Sequence, residues 1–239
     1  MSFFKAFFLP LRALELIRRD PILRRLTLIS AAVCATCFIG LGVGLWYFSP
    51  WIVGQLWPRP SGWAEIVWYL AAGVLFLVGF VVGAQTLPII ALAPLSERLS
   101  IQTEHKLGVS PDNAGIVRFV VETGRSLQKA VLRVFVLVCG HVFLLLLWLI
   151  PGAGHAVWSA AAFAWNVLWL AFEYVDVTAN RHGHSFMGVI RFLNAHGPAT
   201  LGLGAAIYLL LWVPLLNVFF VPIAVVSATL LYRSAQAAK

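Results

Sequence analysis

The chain has 239 residues, of which 61% are hydrophobic and only 11% charged, and its mean hydropathy is +0.91. That composition leaves too little polar surface to cover a water-soluble body, so the chain reads as an integral membrane protein. Lys and Arg outnumber Asp and Glu 17 to 9. In so apolar a chain the excess is suited to anionic headgroups or an anionic solute, and no nucleic-acid motif or basic tract interleaved with aromatics is present.

Residues 1–25 are expected to form an amphipathic N-terminal segment lying in the membrane interface. Phe3, Phe4, Phe7, Phe8, Leu11 and Leu14 supply apolar bulk, while Lys5, Arg12 and Arg19 recur every seventh residue and stay within about 40° of one another around a helix. Pro10 is placed to divide this segment into two pieces. No small-residue cleavage site follows an apolar stretch here, so the segment does not read as a removable signal peptide.

At its end stands Asp20-Pro21-Ile22-Leu23-Arg24-Arg25. Asp20 suits a helix cap and Pro21 the first helical position, leaving the N–H groups of Ile22, Leu23 and Arg24 aimed along the helix axis. An anion there would meet those donors, the positive end of the helix dipole and two guanidinium groups able to bind oxygens in pairs. Ile22, Leu23, Arg24 and Arg25 are therefore the candidate anion-binding residues. Paired arginines at a helix end also serve as topology signals and interfacial anchors, a reading that the spacing leaves open.

Two membrane spans follow, over 26–48 and 66–96, with Pro88 and Pro94 expected to bend or end the second. Between them Trp51, Trp57 and Trp63 lie beside Pro50, Pro58 and Pro60, as befits the headgroup belt. Cys34 and Cys37 form a CxxC inside the first span. Without a second thiol pair or a His at ligand spacing it points to small-residue packing, and no metal or cofactor is expected. Segment 97–133 is predicted to be cytoplasmic and helical. Its second helix starts at Ser110-Pro111-Asp112 and carries Arg118, Arg125, Lys129 and Arg133 in one basic stripe.

The runs 134–172 and 199–232 contain no Asp, Glu, Lys or Arg, yet each breaks in the middle. Ile150-Pro151-Gly152-Ala153-Gly154 divides the first into arms of about 17 residues, and Val213-Pro214-Leu215-Leu216-Asn217 leaves arms of about 15 in the second. At 1.5 Å per residue such arms reach roughly 22–26 Å, short of a hydrocarbon core of about 30 Å. They are expected to be broken helical hairpins that enter the membrane and turn back. Trp148-Leu149-Ile150-Pro151 and Trp212-Val213-Pro214 hold matching places in the two, and paired broken segments of this kind point to a solute site.

Loop charge places both termini and 97–133 in the cytoplasm: residues 1–25 hold six Lys or Arg and 97–133 six more, whereas 49–65 holds only Arg59. Glu104, Glu173, Asp176 and Arg181 are candidates for a polar pathway, with Arg181 placed to neutralise a carboxylate. His182-Gly183-His184 supplies two imidazoles without a third ligand, and His141 and His155 sit in or beside the first hairpin.

Several blocks together resemble one family. They are Pro21-Ile22-Leu23-Arg24-Arg25, Ala93-Pro94-Leu95 followed by Glu104 and Gly108, Ile150-Pro151-Gly152-Ala153-Gly154, Phe172-Glu173-Tyr174-Val175-Asp176 with Arg181 and Ser185-Phe186, and Val213-Pro214-Leu215-Leu216-Asn217 with Val221-Pro222-Ile223-Ala224-Val225 and Ala228-Thr229. In this order, over nearly the whole chain, they are similar to the CysZ-type sulfate permease family, which is related to the etoposide-induced protein family. The resemblance implies an all-α integral membrane protein with two long transmembrane helices, two hemi-penetrating, re-entrant helical hairpins and amphipathic interfacial helices. It further implies sulfate uptake across the bacterial inner membrane for cysteine biosynthesis, without ATP hydrolysis, by a homo-oligomer of two or more protomers among membrane lipids. Sulfate would bind at Ile22, Leu23, Arg24 and Arg25, although Ile22 stands where the family favours Gly, and its branched side chain limits approach to the backbone.

Two function classes stay open at this point, an oxyanion permease and a membrane scaffold of the same fold, because distant eukaryotic relatives of the family are tied to other processes. An enzyme is not expected, since the sequence has no HExxH, GxSxG or Walker loop and no acid pair inside an apolar run.

Overall fold

A computed structural model describes residues 1–109, 135–211 and 219–237 of the chain, and every regular element among them is helical. In chain order these are α1 (Phe3–Phe7), α2 (Leu9–Arg19), α3 (Pro21–Leu56), α4 (Ala64–Lys106), α5 (Phe135–Leu149, closing in a 3-10 turn over Leu146–Leu149), α6 (Gly154–Arg181), α7 (Phe186–Ala195), α8 (Gly197–Leu211) and α9 (Phe220–Gln236). They fall into two compact units, residues 25–95 and residues 1–24 with 96–239. The turn at Val213-Pro214-Leu215-Leu216-Asn217, the Trp212 repeat, the helix start at Ser110 and the stripe of Arg118, Arg125, Lys129 and Arg133 lie outside the described residues.

Residues 25–95 form an antiparallel helix pair. A side chain at Gly79 would meet Leu45 at 2.9 Å and one at Gly83 would meet Leu41 at 2.7 Å, so two small residues one turn apart let the backbones approach. At the connecting loop the Trp68 indole donates to the Trp57 carbonyl at 3.0 Å, and the Arg59 guanidinium binds Glu65 while lying over the Trp68 and Tyr69 rings. Both helices outrun the expected spans. The first continues through Pro50 to Leu56, and the second runs through Pro88 and Pro94 to Lys106. A proline removes one backbone donor and crowds one carbonyl, which a long apolar helix tolerates inside a membrane, so the prolines end neither helix.

The other unit is organised around α8. A Cβ on Gly202 would lie 2.3 Å from the Phe3 carbonyl oxygen, and one on Gly204 would lie 2.1 Å from that of Val167, so α1 and α6 pack directly against glycine faces. The N-terminal helices present two faces. Ala6, Leu9, Ala13 and Ile17 are buried, whereas Phe4, Phe8 and Leu11 are exposed. The chain breaks at Phe8, with Pro10 in the first turn of α2, where a missing N–H costs nothing.

The first broken run is a helical hairpin with the predicted break: Gly154 N–H closes on the Ile150 carbonyl at 2.9 Å, and Gly140 of α5 lies under the Trp165 ring of α6. Its second arm differs from expectation. It runs to Arg181 instead of ending near Phe172, because the polar residues that follow remain compatible with helix until Gly183. Among the described residues, three helical stretches are by length and composition long and apolar enough to cross a membrane: Pro21–Leu56, Ala64–Ala84 within α4, and Gly154–Arg181. Arm length alone therefore does not oblige α6 to turn back. On either side of the undescribed residues 212–218, the described parts of α8 and α9 have 15 and 17 residues.

Candidate functional site

At the mouth of α3 the local structure follows from Asp20. Its Oδ1 accepts the N–H groups of Ile22 at 2.8 Å and Leu23 at 2.9 Å, its carbonyl accepts that of Arg24 at 3.0 Å, and Oδ2 lies 2.5 Å from the Lys106 ammonium. Burial alone would push the Asp20 carboxyl up. Lys106 and the Leu23 and Ile22 N–H groups outweigh it and hold the group below the usual aspartate range. The three N–H donors foreseen for an anion are thus engaged by Asp20 itself. Leu23 is fully buried, Ile22 exposed, and the Arg24 and Arg25 side chains face outward. What this end offers a solute in the present arrangement is guanidinium groups.

A second constellation forms where the C-terminal ends of α4, α6 and α9 meet. Glu104, only 1% exposed, receives Arg181 Nη2 on Oε2 at 2.5 Å, and on Oε1 it receives Arg233 Nε at 2.8 Å and pairs with His182 Nε2 at 2.9 Å. Burial penalises the Glu104 charge, but His182, Arg181 and Arg233 outweigh it and keep the carboxyl below the usual glutamate range. Beneath this cluster Ser100, Thr178 and Thr229 close a ring of hydroxyls at 2.9, 2.9 and 3.0 Å, and Arg181 Nη2 also donates to Ser100 at 2.9 Å.

Two glycines fix these ends. Gly108 and Gly183 have φ of 79° and 77°, a region that costs other residues steric strain. Val109 N–H then bonds the Glu104 carbonyl and Gly108 N–H that of His105, while His184 N–H bonds Ala179 and Gly183 N–H bonds Asn180. These are paired C-terminal caps, which stop α4 just past Glu104 and α6 just past Arg181.

Of the four pathway residues foreseen from sequence, the structure joins Glu104 to Arg181. Asp176 is buried and Glu173 half-buried, five and eight residues before Arg181 on α6. Sequence reasoning did not assign the three hydroxyls, Arg233 or Tyr232, and it gave His182 only as one of two imidazoles without a third ligand. The available signal was positional: Glu104, Arg181 and Arg233 each stand in the last turn of a helix. The hydroxyls carried none, because Ser and Thr inside apolar helices ordinarily bond back to their own backbone, as Thr229 also does to Val225 at 2.8 Å.

The comparisons with known proteins agree on one family. Residues 9–222 match the family described as sulfate transporter CysZ/etoposide-induced protein 2.4. The chain is 29% identical over 199 residues to a protein of Pectobacterium atrosepticum named sulfate transporter CysZ, covering 80% of this chain and 72% of that one. It is 27% identical over 207 residues to the protein of the same name in Salmonella typhimurium, covering 83% of this chain and 81% of the relative. With apolar helices of spanning length and a match over most of its residues, the chain belongs to the sulfate transporter CysZ/etoposide-induced protein 2.4 family of membrane proteins.

Proposed function

We propose that this chain is a permease that carries sulfate, or a closely related oxyanion, across the bacterial inner membrane without ATP hydrolysis, and that the sulfate serves cysteine biosynthesis. The observation that carries the reading is the likeness, over about four-fifths of the chain, to relatives named sulfate transporters. Arg24 and Arg25 are the capture residues: exposed guanidinium groups at a helix start draw a tetrahedral dianion and bind its oxygens in pairs. Ile22 and Leu23 contribute backbone donors once Asp20 yields them. Glu104, Glu173, Asp176 and Arg181 line the polar route, and no residue performs a covalent step.

The helix pairs α5–α6 and α8–α9 act as hairpins that dip into the membrane and return, and their tips need protein neighbours because lipid cannot bond an open turn. The working unit is accordingly a homo-oligomer of two or more protomers, with the exposed Phe4, Phe8 and Leu11 face of the N-terminal helices resting on lipid.

The test is uptake of labelled sulfate into liposomes holding the purified chain, with thiosulfate, selenate and phosphate as competitors. Arg24→Gln with Arg25→Gln should lower uptake by about tenfold or more while the protein stays folded in detergent. Absence of uptake for every oxyanion would overturn the permease reading in favour of a membrane scaffold.

A further inference from the structure

Among the described residues, the cluster at the ends of α4, α6 and α9 holds more hydrogen-bond donors than acceptors. Arg181 Nε and the Tyr232 hydroxyl are buried without a hydrogen-bond partner among the described residues. Tyr232 is 0% exposed, and its hydroxyl stands in the electrostatic field of Arg181, Arg233 and Glu104. His182 Nε2 faces both Glu104 Oε1 at 2.9 Å and Arg233 Nη2 at 3.0 Å, and one ring nitrogen cannot donate to the first while accepting from the second. When its proton goes to Glu104, the solvent-exposed Arg233 Nη2 is left without a protein acceptor among the described residues.

Charge follows the same sign. Two guanidinium groups surround the one Glu104 carboxylate, and His182 adds a further positive charge whenever it is protonated. Helix C-termini attract guanidinium groups through their free carbonyls. Here the carbonyls of Glu104, His105, Ala179 and Asn180 are already bonded by the caps at Gly108 and Gly183, so they do not absorb the surplus. Buried donors left unmade are costly, which is why a cluster of them signals a missing acceptor.

We propose that this cluster is an inner oxyanion site, separate from the Arg24–Arg25 mouth, in which a tetrahedral dianion of the sulfate class accepts from Arg181 Nε, Arg233 Nη2 and the Tyr232 hydroxyl. Glu104 is the tethered anion that keeps both arginines in place when the site is empty. The inference rests on the permease reading and deepens it by giving the solute a second resting place. Tyr232 stacks on the His182 ring with centroids 5.4 Å apart, and His184 packs edge-on against it at 5.9 Å, so the ring that carries the hydroxyl is held by the residues just past the end of α6.

The test is equilibrium binding of labelled sulfate to the full chain in detergent, with size-exclusion profiles and thermal midpoints as controls for folding. The Arg24→Gln, Arg25→Gln variant should keep about one equivalent of bound sulfate, and adding Tyr232→Phe should weaken that binding by about tenfold. Arg233→Gln in the same background should weaken it at least as much. The structural alternative predicts the opposite for Tyr232→Phe: deleting a hydroxyl that nothing uses raises the thermal midpoint and leaves binding unchanged. That result, or loss of all sulfate from the Arg24→Gln, Arg25→Gln variant while it remains folded, overturns the inner site. Failure of the permease reading is read separately, as liposomes that take up no sulfate although the inner site still binds it.

Discussion

Arg181 Nη2 donates to Glu104 Oε2 at 2.5 Å across 77 positions of sequence, and Arg233 reaches the same carboxylate across 129. One buried acid thereby ties together the ends of three helices. Its removal leaves two guanidinium groups without a counter-charge, whereas removing either arginine leaves the acid still paired.

Glu104→Gln is accordingly expected to cost about 3 kcal/mol or more, and to cost more than Arg181→Gln or Arg233→Gln taken singly. Thermal denaturation of the three purified variants in one detergent checks the order. Equal losses would show that the three-way arrangement contributes nothing beyond pairwise contacts.

Acid should loosen the same helix ends. Asp20 and Glu104 are both held below their ordinary values in the folded protein. Their contribution is therefore fully present above the unfolded values of about 3.9 and 4.3, and is lost as pH falls through the lower folded ones. The apparent Tm should be flat between about pH 7 and 5 and fall below about pH 4, with a shallower fall in Glu104→Gln. An unchanged slope in that variant would mean that other groups carry the acid transition.

At the mouth of α3, Asp20→Ala has two opposed consequences. Losing the cap costs about 1 kcal/mol of stability. It also removes a carboxylate from the Ile22 and Leu23 N–H groups, so sulfate affinity at this end should rise by about threefold or more if these donors serve the anion. Calorimetry of the variant decides: lower affinity would place the anion away from the helix start.

Gly140 and Trp165 set the hairpin spacing. A Cβ at Gly140 would lie 2.3 Å from Trp165 Cζ2, closer than any real contact, so Gly140→Ala should destabilise by about 1–3 kcal/mol. Trp165→Leu in the same chain should recover part of the loss, and a double-mutant cycle measures the coupling. No coupling would mean that α5 and α6 do not pack through this pair.

The apolar runs, the break at Ile150 to Gly154 and the cap at Asp20 were legible in the sequence, because each depends on residues within a turn or two of one another. Helix length was less legible. Nothing local in Glu173, Tyr174 or Asp176 stops a helix, so α6 runs on to Arg181. Only the tertiary structure decided which charges pair: Arg181 read as a partner for some carboxylate without Glu104 being singled out, and Arg233, Ser100, Thr178 and Thr229 carried no sequence signal of their partners. Periodicity reports which face of a helix is apolar. The partner of a buried polar group is set by how three helices pack, and that is a property of long-range contact rather than of any local pattern.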